Sequence, residues 1–210
     1  RDLCREHGVV FILDEMISGF KWGLKGASDY FGVKADITTW GKGIANGFSA
    51  CALTGRAEIM ELGGIRREGE KKLFLISTTH GAETIGLAAM LQTIQEFKQH
   101  GMIESNWQRG AALKQQLQAA INRQGLTSQL QLIGYPCLFA LTCRDAAGNN
   151  DDRYRTLMMQ EMIARGVLFQ GLFYPTWSHQ QPELDRICMA FDESCVVYKQ
   201  AVAAGSCDGL

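Results

Sequence analysis

Five apolar residues in a row, Val9-Val10-Phe11-Ile12-Leu13, run straight into the acidic pair Asp14-Glu15. The run is rich in β-branched and aromatic side chains and shows no polar alternation. It therefore reads as a strand covered on both faces, the condition of strands in parallel α/β sheets. Before it, Arg1 to His7 reads as the tail of a polar helix stopped by Gly8. A helix tail that opens on Arg1 and passes at once into a buried strand is expected to belong to a longer domain.

The rest of the chain supports an α/β reading. Residues 18–36 carry Gly19, Gly23, Gly26 and Gly32 among aromatics and lysines, and read as a long irregular connection. Ile37 to Trp40 is a short strand, Gly41 to Gly47 a glycine-rich turn, Ser49 to Thr54 a further strand and Ala57 to Leu62 a short helix. Leu73 to Ile76 reads as a strand entering Ser77-Thr78-Thr79-His80-Gly81. Leu87, Met90, Leu91, Ile94 and Phe97 then recur at helical spacing up to Gly101, and Trp107, Leu113, Leu117 and Ile121 mark a second helix. Longer amphipathic elements replace glycine-rich turns around residues 102–105, which sets the expected division into residues 1–104 and 105–210. The second part reads as a compact α/β unit. One or two strands lie within Leu130 to Cys143, broken at Gly134 and Pro136. A helix capped by Asp151-Asp152 carries Tyr154, Leu157, Met158 and Met162 on one face. Val167 to Phe169 reads as a strand, and Pro182 to Ala203 as mostly helix. The methionines on the capped helix read as core filling.

Composition narrows the function classes. At 210 residues the chain is long enough for one or two domains with a real core, and a net charge of −1 excludes a simple polybasic binder of nucleic acid or membrane surface. No apolar run approaches the roughly 18 residues of a membrane span, and no signal peptide is read at the start. The 7 Cys are odd in number and irregularly spaced, which points to reduced thiols and a cytoplasmic setting.

Several familiar signatures fail on inspection. A phosphate-binding loop ending at Gly41-Lys42 would need Gly in place of Asp36 and Ser or Thr in place of Gly43. Gly47-Phe48-Ser49-Ala50-Cys51 lacks the last glycine of a nucleophile elbow. His7, His80, His100 and His179 have no zinc spacing with the cysteines. Gly41-x-Gly43-x-x-x-Gly47 is one residue too long for a dinucleotide loop. What remains is an acid ending a strand (Asp14), a lysine in a glycine-rich turn (Lys42) and a hydroxyl cluster entering a helix (Thr78). Singly, each has an ordinary reading as loop anchor, exposed lysine or N-cap. Together they match pyridoxal 5'-phosphate, which needs an amine for a Schiff base, a carboxylate for its pyridine nitrogen and donors for its phosphate. Burial of Lys42 among Gly41, Gly43 and Ala45 is expected to disfavour its ammonium form.

Leu13-Asp14-Glu15-Met16-Ile17-Ser18-Gly19-Phe20, then Asp36-Ile37-Thr38-Thr39-Trp40-Gly41-Lys42, then Gly47 and Gly55-Arg56-Ala57-Glu58-Ile59-Met60, resemble the class III aminotransferases. The nearest branch is the one containing glutamate-1-semialdehyde aminomutase. The likeness extends over essentially the whole chain and corresponds to the second half of a typical member. It implies a fold-type I α/β transferase. Residues 1–104 would be the C-terminal part of the large cofactor-binding domain, with its mixed or parallel sheet, and 105–210 the small C-terminal α/β domain. It further implies that Lys42 is the Schiff-base lysine and proton shuttle, Asp14 the partner of the pyridine nitrogen, Met16 a contact to the ring, and Thr78 a phosphate ligand reaching the neighbouring subunit of a homodimer. Two segments depart from the family pattern: Gly81-Ala82-Glu83 stands for Gly-Asn-Pro, and Ala45-Asn46-Gly47-Phe48-Ser49 for Gly-Gly-Gly-x-Pro. These changes spare the cofactor residues and leave the substrate open.

The resulting expectation is amino-group transfer from an amine or amino acid to a keto or aldehyde acceptor. The alternatives are an intramolecular aminomutase and an inactive or binding-only homologue. The 210-residue chain alone is expected to be inactive, because the family's first half supplies much of the pocket.

Overall fold

The computed structural model describes residues 1–64, 66 and 79–207. The strand expected at Leu73 to Ile76, and with it Thr78, lies outside the described residues. The chain divides into two compact units, Arg1–Ile103 and Glu104–Leu210. No helix among the described residues is long and apolar enough to cross a membrane.

In the first unit, helix α1 (Asp2–Glu6) leads through Gly8 into strand β1 (Ile12–Asp14). Strand β2 (Ile37–Trp40) pairs parallel to β1, with Ile12 against Ile37 and Asp14 against Thr39. Strand β3 (Ala52–Gly55) pairs antiparallel to the other edge of β2, so the sheet is mixed, in the order β1-β2-β3. The apolar run was expected to be a strand buried on both faces, and this is corrected. Regular strand begins only at Ile12, and Val9, Val10 and Ile12 are 56%, 49% and 56% exposed. No layer of described residues covers these side chains. Two further differences are local. The connection after β1 contains a short helix, α2 (Gly26–Tyr30), and β3 starts three residues later than Ser49.

The core of this unit gathers around the turn after β2. Phe20, Ile44 and Ala45 are buried there, with Trp40, Ala50 and Ala52 from the sheet side and Met90, Ile94 and Phe97 from helix α4 (Thr84–His100) packed against them. Of the apolar period read from the sequence, Met90, Ile94 and Phe97 face this core, whereas Leu87 and Leu91 are exposed. The helix ends at Gly101 in the left-handed conformation (φ 56°), as a C-cap glycine should. Near its start α4 passes so close to the loop before β3 that a Cβ on Gly86 would lie 2.5 Å from the Ser49 carbonyl oxygen. Helix α3 (Ala57–Met60) follows β3.

In the second unit a hairpin of strands β4 (Leu130–Tyr135) and β5 (Leu138–Cys143) turns at Pro136-Cys137, and β6 (Leu172–Phe173) adds antiparallel to β5. On β5, Phe139, Leu141 and Cys143 are buried while their neighbours are not, the alternation of a sheet covered on one face. Against that face pack helix α5 (Met102–Gln124) through Leu113, Leu117 and Ile121, helix α6 (Asp152–Ala164) through Tyr154, Met158 and Met162, and helix α7 (Gln181–Ala204) through Phe191, Cys195 and Tyr198. The Asp151 side chain accepts the Arg153 backbone N–H at 2.8 Å and caps α6 as expected. Val167 to Phe169, expected as a strand, forms none; the strand falls at Leu172–Phe173.

Helix α5 crosses the hairpin turn at Gly110, where an added Cβ would collide with the Pro136 carbonyl, 2.7 Å from its carbon. Helix propensity alone gives Gly110→Ala about 1 kcal/mol of added stability. Contact with an immovable carbonyl reverses the sign, and we expect a loss of about 1–3 kcal/mol. A lowered urea midpoint for this variant checks the close approach.

Candidate active site

Asp14 ends β1 and is exposed. Two donors converge on one of its carboxylate oxygens. The Met16 backbone N–H donates to Oδ1 at 2.9 Å, and the Thr39 hydroxyl donates to the same oxygen at 3.0 Å. The second bond follows from the parallel register, which sets Thr39 directly beside Asp14. Among the described residues Oδ2 has no partner and remains a free acceptor. The Met16 N–H, then the Thr39 hydroxyl, and to a lesser degree the charge of Lys42 hold the carboxyl below the usual range, so it is ionised at neutral pH.

Lys42 begins one turn of 3-10 helix, Lys42–Ile44, directly after β2. Its φ of +49° lies in the left-handed region that side-chain-bearing residues rarely adopt. Burial of Ile44 and Ala45 beneath α4 pins the turn and so over-determines that conformation. Gly41 is required for a separate reason. The Met16 thioether lies on it, and a Cβ at position 41 would sit 2.7 Å from Met16 Sδ, closer still to its methyl, and 3.9 Å from Cys51 Cβ. Around Gly43, by contrast, the space is open. Lys42 itself is exposed, which corrects the expectation of burial among small residues: nothing among the described residues lies over its outer side. Its ammonium has no hydrogen-bond or ion-pair partner among them.

The structure therefore gathers three of the four residues singled out in the sequence. Asp14 and Met16 are joined by a hydrogen bond, Met16 covers the glycine before Lys42, and the Lys42 charge acts on Asp14. Thr78, the fourth, lies outside the described residues. Thr39 and Glu15 escaped the sequence reading. Thr39 looks like any β-branched strand residue until the register is known, and Glu15 looks like a solvated acid yet is 1% exposed. His80 and Glu83 pair with each other, Nδ1 to Oε1 at 2.6 Å, in an exposed local contact. Burial pushes the Cys143 and Cys195 thiols up to about 12, which keeps both protonated at neutral pH.

Chemically, the arrangement offers an ionised carboxylate with one oxygen free, an exposed primary amine and a soft apolar thioether beside them. A flat cationic heteroaromatic ring carrying a carbonyl matches all three. Removing one donor tests the electrostatics. Thr39→Val should raise the Asp14 pKa toward its ordinary value, read by NMR titration of the carboxyl. A group held low stabilises the fold above its unfolded pKa and loses that contribution as pH falls through the folded value. In the variant the contribution is therefore smaller and its loss is complete at less acid pH.

Comparison with known proteins gives the family and the fold. The family described as aminotransferase class-III matches residues 1–193. A glutamate-1-semialdehyde 2,1-aminomutase 1 of Staphylococcus aureus (strain bovine RF122 / ET3-1) is 31% identical over 202 residues, 91% of this chain and 46% of that protein. The same-named protein of strain JH9 is 30% identical with the same coverage. The chain thus spans about half the length of the curated relatives it matches. Among solved structures, a transaminase with PLP bound superposes with a TM-score of 0.84 at 23% identity, over 98% of this chain and 47% of the other. An omega-transaminase from Sphaerobacter thermophilus gives 0.83 at 21%, over 94% and 46%. At these identities the structural likeness establishes the fold, the α/β architecture of the fold-type I transferases. With a family match over nearly its whole length, the chain belongs to the class III aminotransferases.

Proposed function

We propose that this chain carries the lysine and aspartate half of a pyridoxal-5'-phosphate-dependent aminotransferase site. The observation that carries the reading is Asp14, ionised, with Oδ1 held by two donors, Oδ2 free and its charge coupled to that of an unpartnered Lys42. In this reading Asp14 Oδ2 would accept a hydrogen bond from the N–H of the cofactor ring, Met16 would offer it an apolar contact, and Lys42 Nζ would hold it covalently. When bound, the cofactor supplies a reactive carbonyl and an electron sink. Lys42 Nζ would hold the cofactor and, once freed by the substrate amine, would be the group that takes up and gives back the substrate Cα proton. Glycine at position 41 lets the Met16 thioether lie on the backbone just before Lys42. Asp14, kept ionised, stabilises positive charge at the ring nitrogen throughout.

The substrates in this reading are a small amine or amino-acid donor and a keto or aldehyde acceptor. Residues 1–104 form the C-terminal part of the large cofactor-binding domain and 105–210 the small C-terminal domain. Thr78 binds the cofactor phosphate of a neighbouring subunit in a homodimer. The setting is cytoplasmic, supported by the odd number and irregular spacing of the seven cysteines.

A second reading, an intramolecular aminomutase, is favoured by the curated relatives, which are named glutamate-1-semialdehyde 2,1-aminomutases. Supplying glutamate-1-semialdehyde without a keto acid separates the two: product supports the mutase, and dependence on an acceptor supports transfer. A binding-only homologue gives neither.

In the holoenzyme, Lys42→Ala should abolish the long-wavelength absorbance of the lysine-bound cofactor. Turnover should fall by at least about 10²- to 10⁴-fold, the contribution of a positioned proton-transfer group. Retention of both the band and the turnover overturns the assignment.

A further inference from the structure

Glu15 is the only charged side chain among the described residues that is almost wholly buried. No cation pairs with it among those residues; hydrogen-bond donors alone hold it. Its carboxylate accepts the Ser18 hydroxyl at 2.5 Å, the Ala27 N–H at 3.0 Å and the Ser28 N–H at 2.7 Å. The last two are free N–H groups of the first turn of α2, whose N-cap Lys25 offers no side-chain bond. Gly26, at φ +78°, lies so close that a Cβ there would stand 2.6 Å from the carboxyl carbon. The Glu15 backbone is tied as firmly: its N–H donates to the Thr39 carbonyl at 3.0 Å, and its own carbonyl accepts the Gly19 N–H at 2.9 Å.

One residue thus joins β2, the turn at residues 15–19 and the start of α2, and it stands between Asp14 and Met16. Both neighbours depend on its peptide geometry. The Met16 N–H must return to Asp14 Oδ1, and the Met16 side chain must reach Gly41. A buried, unpaired carboxylate is a costly way to close a loop, and an uncharged side chain would serve a loop alone. We propose that Glu15 is a positioning residue, whose buried carboxylate clamps the connection after β1 so that Asp14 keeps Oδ1 occupied and Oδ2 free for its ligand. The ligand named here rests on the cofactor reading above; the clamp itself does not.

The test uses Glu15→Gln, nearly isosteric, and Ser18→Ala, which removes one bond and leaves the charge. In cofactor-free protein the Asp14 carboxyl is titrated by NMR. Loss of a nearby negative charge by itself would lower the Asp14 pKa, whereas loosening of the Met16 and Thr39 bonds raises it. The clamp predicts a rise in Glu15→Gln, a smaller rise in Ser18→Ala, and faster tryptic cleavage after Lys21 and Lys25 in both. In the holoenzyme, Glu15→Gln should weaken pyridoxal phosphate binding by about 10- to 100-fold, as loss of a support for a ligating group commonly does. The pH midpoint of the bound cofactor's absorbance should move in the same direction as in Asp14→Asn. A fall or no change in the Asp14 pKa of Glu15→Gln overturns the proposal, even if thermal stability drops. A rise in that pKa together with an Asp14→Asn protein of unaltered cofactor spectrum upholds the clamp and overturns the cofactor reading instead.

Discussion

The parallel register of β1 on β2 decides where Asp14, Met16 and Lys42 stand. Because Asp14 pairs with Thr39, the Thr39 side chain meets the Asp14 carboxylate, and the Thr39 carbonyl receives the Glu15 N–H one residue later. Both strands then end together, so the segment after one carries Met16 and the turn after the other carries Gly41-Lys42. A slip of one residue would send Thr39 to the opposite face and break both bonds at once. Pairing of β3 along the other edge of β2, Ile37 against Gly55 through Trp40 against Ala52, leaves β2 no freedom to slip.

The Asp-Glu-x-x-x-Gly-Phe pattern acquires a physical meaning from this arrangement. Glu15 accepts the Gly19 N–H and closes the turn. Gly19 has no Cβ because the Trp40 ring lies against it, 2.9 Å from where that atom would stand. Phe20, at φ +62°, occupies the left-handed region and drops its ring between Trp40, at 5.7 Å, and Phe97, at 5.6 Å. Such a conformation costs about 1–2 kcal/mol for an L-residue. It persists because the ring contacts of the small core offset it, and the same core holds Lys42 in a similar state. Strain and packing are therefore linked across two segments far apart in sequence.

The two units solve the burial problem differently. The second follows the one-sided rule of antiparallel sheets: Phe139, Leu141 and Cys143 face the helices, and two tyrosine hydroxyls there find backbone acceptors, Tyr198 on Arg144 at 2.7 Å and Tyr154 on Ala201 at 3.3 Å. The first keeps Val9, Val10 and Ile12 open, although their composition is that of a strand covered on both faces. That contrast stands beside a second fact: the matched relatives are about twice as long as this chain.

Much of this was legible in the residues alone. Local patterning gave α4 up to Gly101, the strand-ending acid, the lysine turn, one or two strands within residues 130–143 and the capped, methionine-lined α6, whereas the break expected at Gly134 falls inside β4. Strand bounds at 9–13 and 167–169 were misread, because pairing partners and covering layers, not propensity, decide where a strand begins. Sequence order by itself determined that an acid, a lysine and a Gly-Phe turn belong to one family pattern. Only the tertiary structure decided that Thr39 holds one Asp14 oxygen, that Met16 rests on Gly41, and that Glu15 is buried. The first two depend on register and close approach between segments 25 residues apart in the chain, and the third on the return of α2 to Glu15 from 12 and 13 residues on, distances over which local patterning carries no information.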